Sequence, residues 1–497
     1  MKIYLYVVTS VMKLSEKITH HEKGPTLKRK ERRCAMRKYD PEALVFEKTE
    51  SAGIKPHIRI DERPESMWQT VLYALQVTVV DFTPFIWVAM FVSISGLPDT
   101  VLPIMISTSF LAMGVGTLIQ TIWGNRLPIV QGPSTSVLTA MGTVTASFGF
   151  SAMWGAVIVG GILEFFLGIS RLVGAIRKFI PPVVTGSVVA AIGFVATKIA
   201  VTWIFTNPNA LNLSLALLGF LVALILKFKG KGVLSHGFIL FATVIVGVVL
   251  ASAVGAFDWE RVHAAPWFAV PQLFPFKDMA DYGPKPLTIG LAAVIGGFVG
   301  YIGSILESVG DYAATTAVSD EDYKVKHINR GIAAEGAGCV AAGVLGGLPL
   351  TSYTQNAGVI AATGIASRFV TQIAAVFFLL YGLSPKLAVL LSAIPRSVLG
   401  GVFLITANLI MFSGIDMILS ETRSLKNNMI AGITLGTSVM VPFYAETGGA
   451  AFVATLGPFM RMFMGSNIFI AVFVGIFMNL LLTYVLKVGN NNKEKEK

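Results

Sequence analysis

The sequence predicts an all-α polytopic membrane protein of about fourteen segments arranged as two inverted halves of seven. Three observations lead there. Of 497 residues, 54% are hydrophobic and 13% are charged, roughly half the charge of a soluble domain, and the mean hydropathy is +0.70. The apolar residues fall in runs near the roughly 20 that cross a bilayer. Two short motifs recur half a chain apart, an odd number of segments from their first copies.

In order, the runs are 70–95, 101–122, 134–149, 152–170, 182–205, 213–226 and 237–257, then 287–317, 330–346, 354–366, 368–383, 397–414, 427–443 and 467–487. The third, Ser134–Gly149, and the tenth, Thr354–Ala366, are too short to cross alone. This divides the chain into a basic tail (1–67), a first half (68–257), a connector (258–286), a second half (287–487) and a C-terminal tail (488–497).

Basic residues orient the segments, because loops rich in Lys and Arg stay cytoplasmic. With the N-terminus inside, the inner loops carry Arg126, then Arg171, Arg177 and Lys178, then Lys227, Lys229 and Lys231. They continue with Lys324, Lys326 and Arg330, then Arg368, then Arg423 and Lys426, and end in the tail Lys493–Lys497. The outer loops SGLPDT, TNPNALN and GGLPL carry none. Both termini are therefore expected in the cytoplasm and the protein in the plasma membrane. Lys386, Arg396 and Arg461 are the exceptions.

The net charge is +11, and the tails hold much of the Lys and Arg, including Lys28–Arg33. Such a run reads as a solvated cytoplasmic tail beside anionic lipid, not as a nucleic-acid site. Cys34 and Cys339 are too far apart for a metal or disulfide spacing. The apolar stretch Ile3–Met12 is too short to span and lacks a signal-peptidase pattern. Residues 1–35 carry no fold signal, which leaves Met36 as a possible start.

The repeats are Ile180-Pro-Pro-Val-Val-Thr-Gly-Ser-Val188 with Ile394-Pro-Arg-Ser-Val-Leu-Gly-Gly-Val402, and Leu127-Pro-Ile-Val-Gln-Gly-Pro-Ser with Leu348-Pro-Leu-Thr-Ser-Tyr-Thr-Gln. They pair the fifth segment with the twelfth and the third with the tenth. Inverted-repeat carriers bind cargo near the midplane, where short or broken helices meet. The Leu-Pro elements precede the two shortest segments, and their Gly, Ser and Thr residues suit irregular backbone around a cavity. Two helix N-termini would then offer unpaired N–H groups to one site.

Ionisable residues at membrane depth are usually functional. Glu307 and Asp311 share one helix face at i,i+4. Two carboxylates so placed can divide the work, one holding a proton and the other binding cargo. Gln355 can donate and accept along one edge, as in bidentate recognition of a base. Asn356 suits a ligand contact or a helix cap. Ser134 and Thr135 also suit either role, and Tyr353 either stacks on a planar ligand or packs. Asp81 is a candidate for coupling, while Glu164 and Lys198 read as structural. No metalloprotease, nucleophile-elbow or Walker pattern is present, which argues against an intramembrane enzyme or an ATP-driven pump. No cofactor or metal is implied.

At these residues the sequence resembles the nucleobase–ascorbate transporter family, also called the nucleobase:cation symporter-2 family. Gln355-Asn-Ala-Gly-Val-Ile-Ala-Ala-Thr-Gly364 matches its tenth-segment signature [Q/E/P]-N-x-G-x-x-x-x-T-[R/K/G], and Glu307-Ser-Val-Gly-Asp311 is similar to its eighth-segment motif. Ile328–Gly331 and Gln131–Ser134 look alike too. The resemblance implies short strands at the third and tenth segments, a core of segments 1–4 and 8–11 sliding against a gate of 5–7 and 12–14, and a homodimer. The leading expectation is a cation symporter that imports a nucleobase, with a proton favoured and sodium the alternative as coupling ion. Glu307 and Gln355 would bind the ring, and Asn356 and Asp311 would support them. Gln at the first signature position resembles carriers of xanthine and uric acid; Glu there resembles uracil carriers. The sequence departs from the family at Val77, where a His is usual, and at Thr135, where a Phe is usual. Competing readings are a carrier of uracil or another base in the same family, an anion carrier of the same architecture, and a channel or non-transporting receptor.

Overall fold

The computed structural model describes residues 41–46, 55–173, 180–270, 288–486 and 488. Lys28–Arg33, Cys34, Met36, Arg177, Lys178, most of the connector and the tail lysines lie outside the described residues.

The first segment is two helices, α1 (Met67–Val80) and α2 (Pro84–Ser95). Ser66 caps α1 by accepting the Gln69 N–H at 3.2 Å. Pro84 lacks the N–H that would continue the ladder, so the helix breaks at Asp81–Thr83. Gly96 ends α2 with φ 68°, a conformation that favours glycine. Next come α3 (Leu102–Ile122), α4 (Thr135–Phe148), α5 (Phe150–Ser170), α6 (Pro182–Ile204), α7 (Ala210–Lys229), the one-turn α8 (Val233–His236), α9 (Phe238–Ala253) and α10 (Trp259–Ala264). The second half contains α11 (Leu291–Val318), α12 (Val325–Leu345), α13 (Gln355–Thr363), α14 (Arg368–Gly382), α15 (Pro385–Ser392), α16 (Arg396–Leu419), α17 (Leu425–Glu446), α18 (Ala450–Thr455), α19 (Pro458–Gly465) and α20 (Asn467–Leu480).

Nine helical stretches among the described residues are long and apolar enough to cross a membrane, or ten if α14 and α15, bent by 79°, form one span. That is fewer than the fourteen runs in the sequence, for physical reasons. The helices at the third and tenth runs are only 14 and 9 residues long, and α9 forms the 16-residue seventh run. The ninth run, α12, carries Lys326, Arg330 and Glu335.

Small residues set the packing, as expected where helices associate without a hydrophobic drive between them. On α5 and α12, Gly161 and Gly336 face each other's backbone: a methyl at Gly336 would lie 2.6 Å from Gly161 O. Gly186 and Gly414 do the same for α6 and α16, again at 2.6 Å. The outer face of α7 exposes Leu217, Leu218, Leu221, Ile225 and Phe228, which suits contact with acyl chains.

Among the described residues, four short strands accompany the helices. β1 (Leu44–Phe46) pairs antiparallel with β3 (Tyr323–Lys324). β2 (Gln131–Pro133) pairs antiparallel with β4 (Leu350–Ser352) in the register Gln131–Ser352, Gly132–Thr351 and Pro133–Leu350. Ahead of α1 the chain straps the same side of the molecule. Glu42 pairs with Lys326 at 2.7 Å and Lys324 at 3.0 Å, Ile58 bridges Ile365, and Asp61 pairs with Arg368 at 2.5 Å and Arg126 at 3.5 Å.

Candidate functional site

The β2–β4 ribbon is the centre of the site. Two further backbone bonds close its ends, Ser134 N–H to Pro349 O at 2.8 Å and Tyr353 N–H to Val130 O at 3.0 Å. Helix α4 starts just past β2 and α13 just past β4, so two helix N-termini leave from opposite ends of one ribbon. Ser134 caps α4, its hydroxyl accepting from Val137 N at 3.3 Å and donating to Ser304 at 3.3 Å.

Helix α11 lies against both. Its glycines let it approach: a methyl at Gly300 would stand 2.8 Å from Ser136 O, and one at Gly303 would stand 3.2 Å from Ser136 Cβ. One turn on is Glu307, between Ser304, which reaches Ser134, and Asp311, which reaches the start of α13. Buried Asp311 accepts from Ser352 at 2.9 Å and Thr354 at 2.5 Å.

The sequence candidates divide by their state. Glu307, Gln355 and Thr135 are half-buried, and their side chains form no hydrogen bond among the described residues. The others are committed. Asn356 is no helix cap. Its amide donates to Asp81 at 2.6 Å and its oxygen accepts from Val130 N at 2.7 Å, which ties α13 to the α1–α2 break and to the entry of β2. The other oxygen of Asp81 is buried without a partner among the described residues. The Tyr353 ring packs on Gly132, where a methyl would collide with it. Its hydroxyl accepts from Thr83 at 3.3 Å and donates to Pro133 O at 3.5 Å.

One central residue escaped sequence reading. Glu335, on α12, is fully buried and accepts from Ser308 at 2.7 Å, Tyr312 at 3.0 Å, Ser304 at 3.1 Å and Thr351 at 3.3 Å. Hydroxyl donors from α11 and β4 thus converge on one carboxylate, a network that holds three elements in register. The signal was available: a lone acid in Ala333-Ala-Glu-Gly-Ala-Gly338. Glu164, on α5, is also fully buried, and Lys198 pairs with Glu446 at 2.5 Å.

Beside the ribbon, α6 and α11 meet along a closed seam. Ser136, Gly303 and Leu306 border a cavity of about 10 Å³ completed by Val184, Thr185 and Val188 of α6. That is room for about one water.

Residues 68–447 match the model of the Permease family designated Xan_ur_permease. The uracil permease of Bacillus subtilis (strain 168) is 30% identical over 421 residues, covering 80% of this chain and 93% of its own length. The uric acid permease PucK of the same organism is 29% identical over 374 residues, 72% of this chain and 84% of PucK. The xanthine permease XanQ of Escherichia coli (strain K12) is 29% identical over 423 residues, 80% of this chain and 88% of XanQ. Among solved structures, the transmembrane domain of the cyanobacterial bicarbonate transporter BicA superposes with a TM-score of 0.55 at 15% identity, over 84% of this chain and 99% of that one. SLC26A9 superposes with 0.58 at 12% identity, over 84% and 66%. These likenesses show a shared fold.

Proposed function

The chain belongs to the Permease family that its residues 68–447 match, and from that premise we propose that it imports a nucleobase by cation symport, with xanthine or uric acid as preferred cargo and a proton as coupling ion. The observation that carries the reading is the division of polar groups at the ribbon. Glu307, Gln355 and Thr135 remain unpaired while every other candidate is braced. A carboxylate beside a primary amide complements an imide edge: Glu307 accepts ring N–H, and Gln355 both donates and accepts. Relatives named for uric acid, xanthine and uracil support a base as cargo. Gln355 at the signature position favours the oxidised purines. The remaining candidates have supporting roles in this reading. Ser134, Tyr353 and Asn356 hold the ribbon and helix starts, and Asp311 and Asp81 serve coupling.

The reading includes fourteen segments in two inverted halves. The core comprises α1–α5 and α11–α15, and the gate α6–α9 and α16–α20. The core slides against the gate, the protein sits in the plasma membrane as a homodimer, and both termini are cytoplasmic. The nearly filled seam between α6 and α11 supports a mechanism in which the two sets move apart to admit cargo. An anion carrier is the weaker reading, because Ser134–Val137 and Thr354–Gly358 hold no basic residue.

The test is a competition panel in cells or proteoliposomes, with radiolabelled xanthine against uric acid, uracil, guanine and ascorbate. Concentrative xanthine uptake, blocked by uric acid and by a proton uncoupler, is expected. Uptake that requires sodium and ignores the uncoupler overturns the proton assignment. Failure to accumulate any base overturns the cargo.

A further inference from the structure

Arg396 is a cation on the side of the membrane where the charge pattern places almost none, and the structure gives it a specific setting. It opens α16, and its Nη2 donates to Asp99, in the turn between α2 and α3. Its guanidinium lies over the Trp203 ring of α6, 5.4 Å from the centroid. Trp203 in turn donates from Nε1 to Ser93 of α2 at 2.9 Å. Beneath this pair, Phe403 of α16 meets Trp203 at 5.4 Å and Trp87 of α2 at 5.7 Å. Asp99, Ser93 and Trp87 belong to the core and Arg396, Trp203 and Phe403 to the gate, in the division and orientation proposed above, on which this inference rests.

We propose that Arg396 and Asp99, braced by Trp203, form an extracytoplasmic latch that holds core and gate together in the closed state and must part for the site to open outward. The chemistry suits a contact that is made and broken. Asp99 is 63% exposed while Arg396 is 18% exposed, so the anion can leave for water at little cost while the cation keeps its place over the indole. A guanidinium is the right cation here, because it pairs in-plane and stacks at once, which an ammonium does not. Arg396 Nη1 is buried with no partner among the described residues. The closed state thus leaves one donor unsatisfied, a standing penalty that keeps the latch from being permanent. Its position explains why a cation persists on the outer face: Asp99 neutralises it there.

The experiment places spin labels at the exposed outer positions Thr100 and Thr206, one on each side of the seam, in the full-length protein with Cys34→Ser. Pulsed distance measurements should give a short and a long population. Asp99→Asn should at least double the long fraction, and Asp99→Arg should do the same. Pairing Asp99→Arg with Arg396→Asp should return the distribution to that of the parent. A single distance that Asp99→Asn leaves unchanged overturns the latch, as does a swapped pair that behaves like its single variants. The distances are read without cargo. Two populations with no base transported would refute the cargo and leave the latch intact, while uptake with one unresponsive distance would do the reverse.

Discussion

Replacing Asn356 by Ala tests whether the signature asparagine is a brace or a cargo ligand. In the structure its amide bonds Asp81 at 2.6 Å and Val130 N at 2.7 Å, and all three residues are buried. Truncation orphans the Val130 N–H and leaves the Asp81 carboxylate with no donor to either side-chain oxygen. Each buried orphan costs about 1–3 kcal/mol, which gives a total loss near 3–4 kcal/mol, toward the upper end for a single substitution. The assay is unfolding of the purified protein in mixed micelles by titration with a denaturing detergent, followed by circular dichroism. Asp81→Ala alone should also destabilise. The double variant should lose less than the sum of the two, with a coupling energy of about 1.5–3 kcal/mol. An Asn356→Ala protein that unfolds at the parent's midpoint yet fails to take up base would refute the bracing argument and make Asn356 a cargo group.

Four further outcomes follow from the structure. Glu307→Gln should abolish uptake in normally folded protein, and Gln355→Glu should shift preference toward uracil; the competition panel reads both. Gly358→Ala should lower uptake no more than a few-fold, because a methyl there would lie 2.7 Å from His236 Nε2, the far end of a side chain that can swing aside; adding His236→Ala should restore most of it, and no rescue would mean that the collision is not the cause. Lys326 and Lys324 hold the Glu42 carboxyl down at about 2, against 4.5 for a free carboxyl. A depressed pKa contributes above the free value and is lost as pH falls through the depressed one. Docking of β1 should therefore be intact above about pH 4.5 and weaken toward pH 2, read as faster hydrogen exchange at the Val325 and Lys326 amides, which donate to Ala43 O and Pro41 O; salt should have the same sign of effect.

Where a feature was local, the sequence displayed it. Leu-Pro followed by Gly, Ser and Thr at 127–134 and 348–354 located the ribbon and both helix starts, because proline and polar residues interrupt an apolar run wherever they occur. The i,i+4 spacing of Glu307 and Asp311 placed both on one helix, which the Asp311 bonds to β4 and Thr354 bring to the site. What depended on distant partners was hidden. Nothing near Asn356 announces Asp81 or Val130, 275 and 226 positions away. Tyr353 packs because Gly132 stands across a strand pair, which no local pattern encodes. Glu335 was masked by the basic start of its helix and the small residues around it, a mixture that lowers hydropathy without lowering burial. The segment count diverged for a related reason: hydropathy registers an apolar run whether its helix is 9 residues or 28.

The antiparallel β2–β4 ribbon has an electrical consequence. Helices that leave opposite ends of one ribbon point their macrodipoles against each other, so the two dipole moments largely cancel as a sum even though both positive ends face the ribbon. In the proposed sliding mechanism, a core that carries this ribbon through the membrane potential does little work on the helix dipoles. What remains is net side-chain and cargo charge, at about 2.3 kcal/mol per elementary charge per 100 mV. In the proposed mechanism the voltage dependence of transport would then count the charge on the core carboxylates, Glu307, Asp311, Asp81, Glu164 and Glu335, together with the coupling ion and the base. Under the proposed proton symport, a current recorded from reconstituted protein would measure how many protons accompany each molecule of cargo.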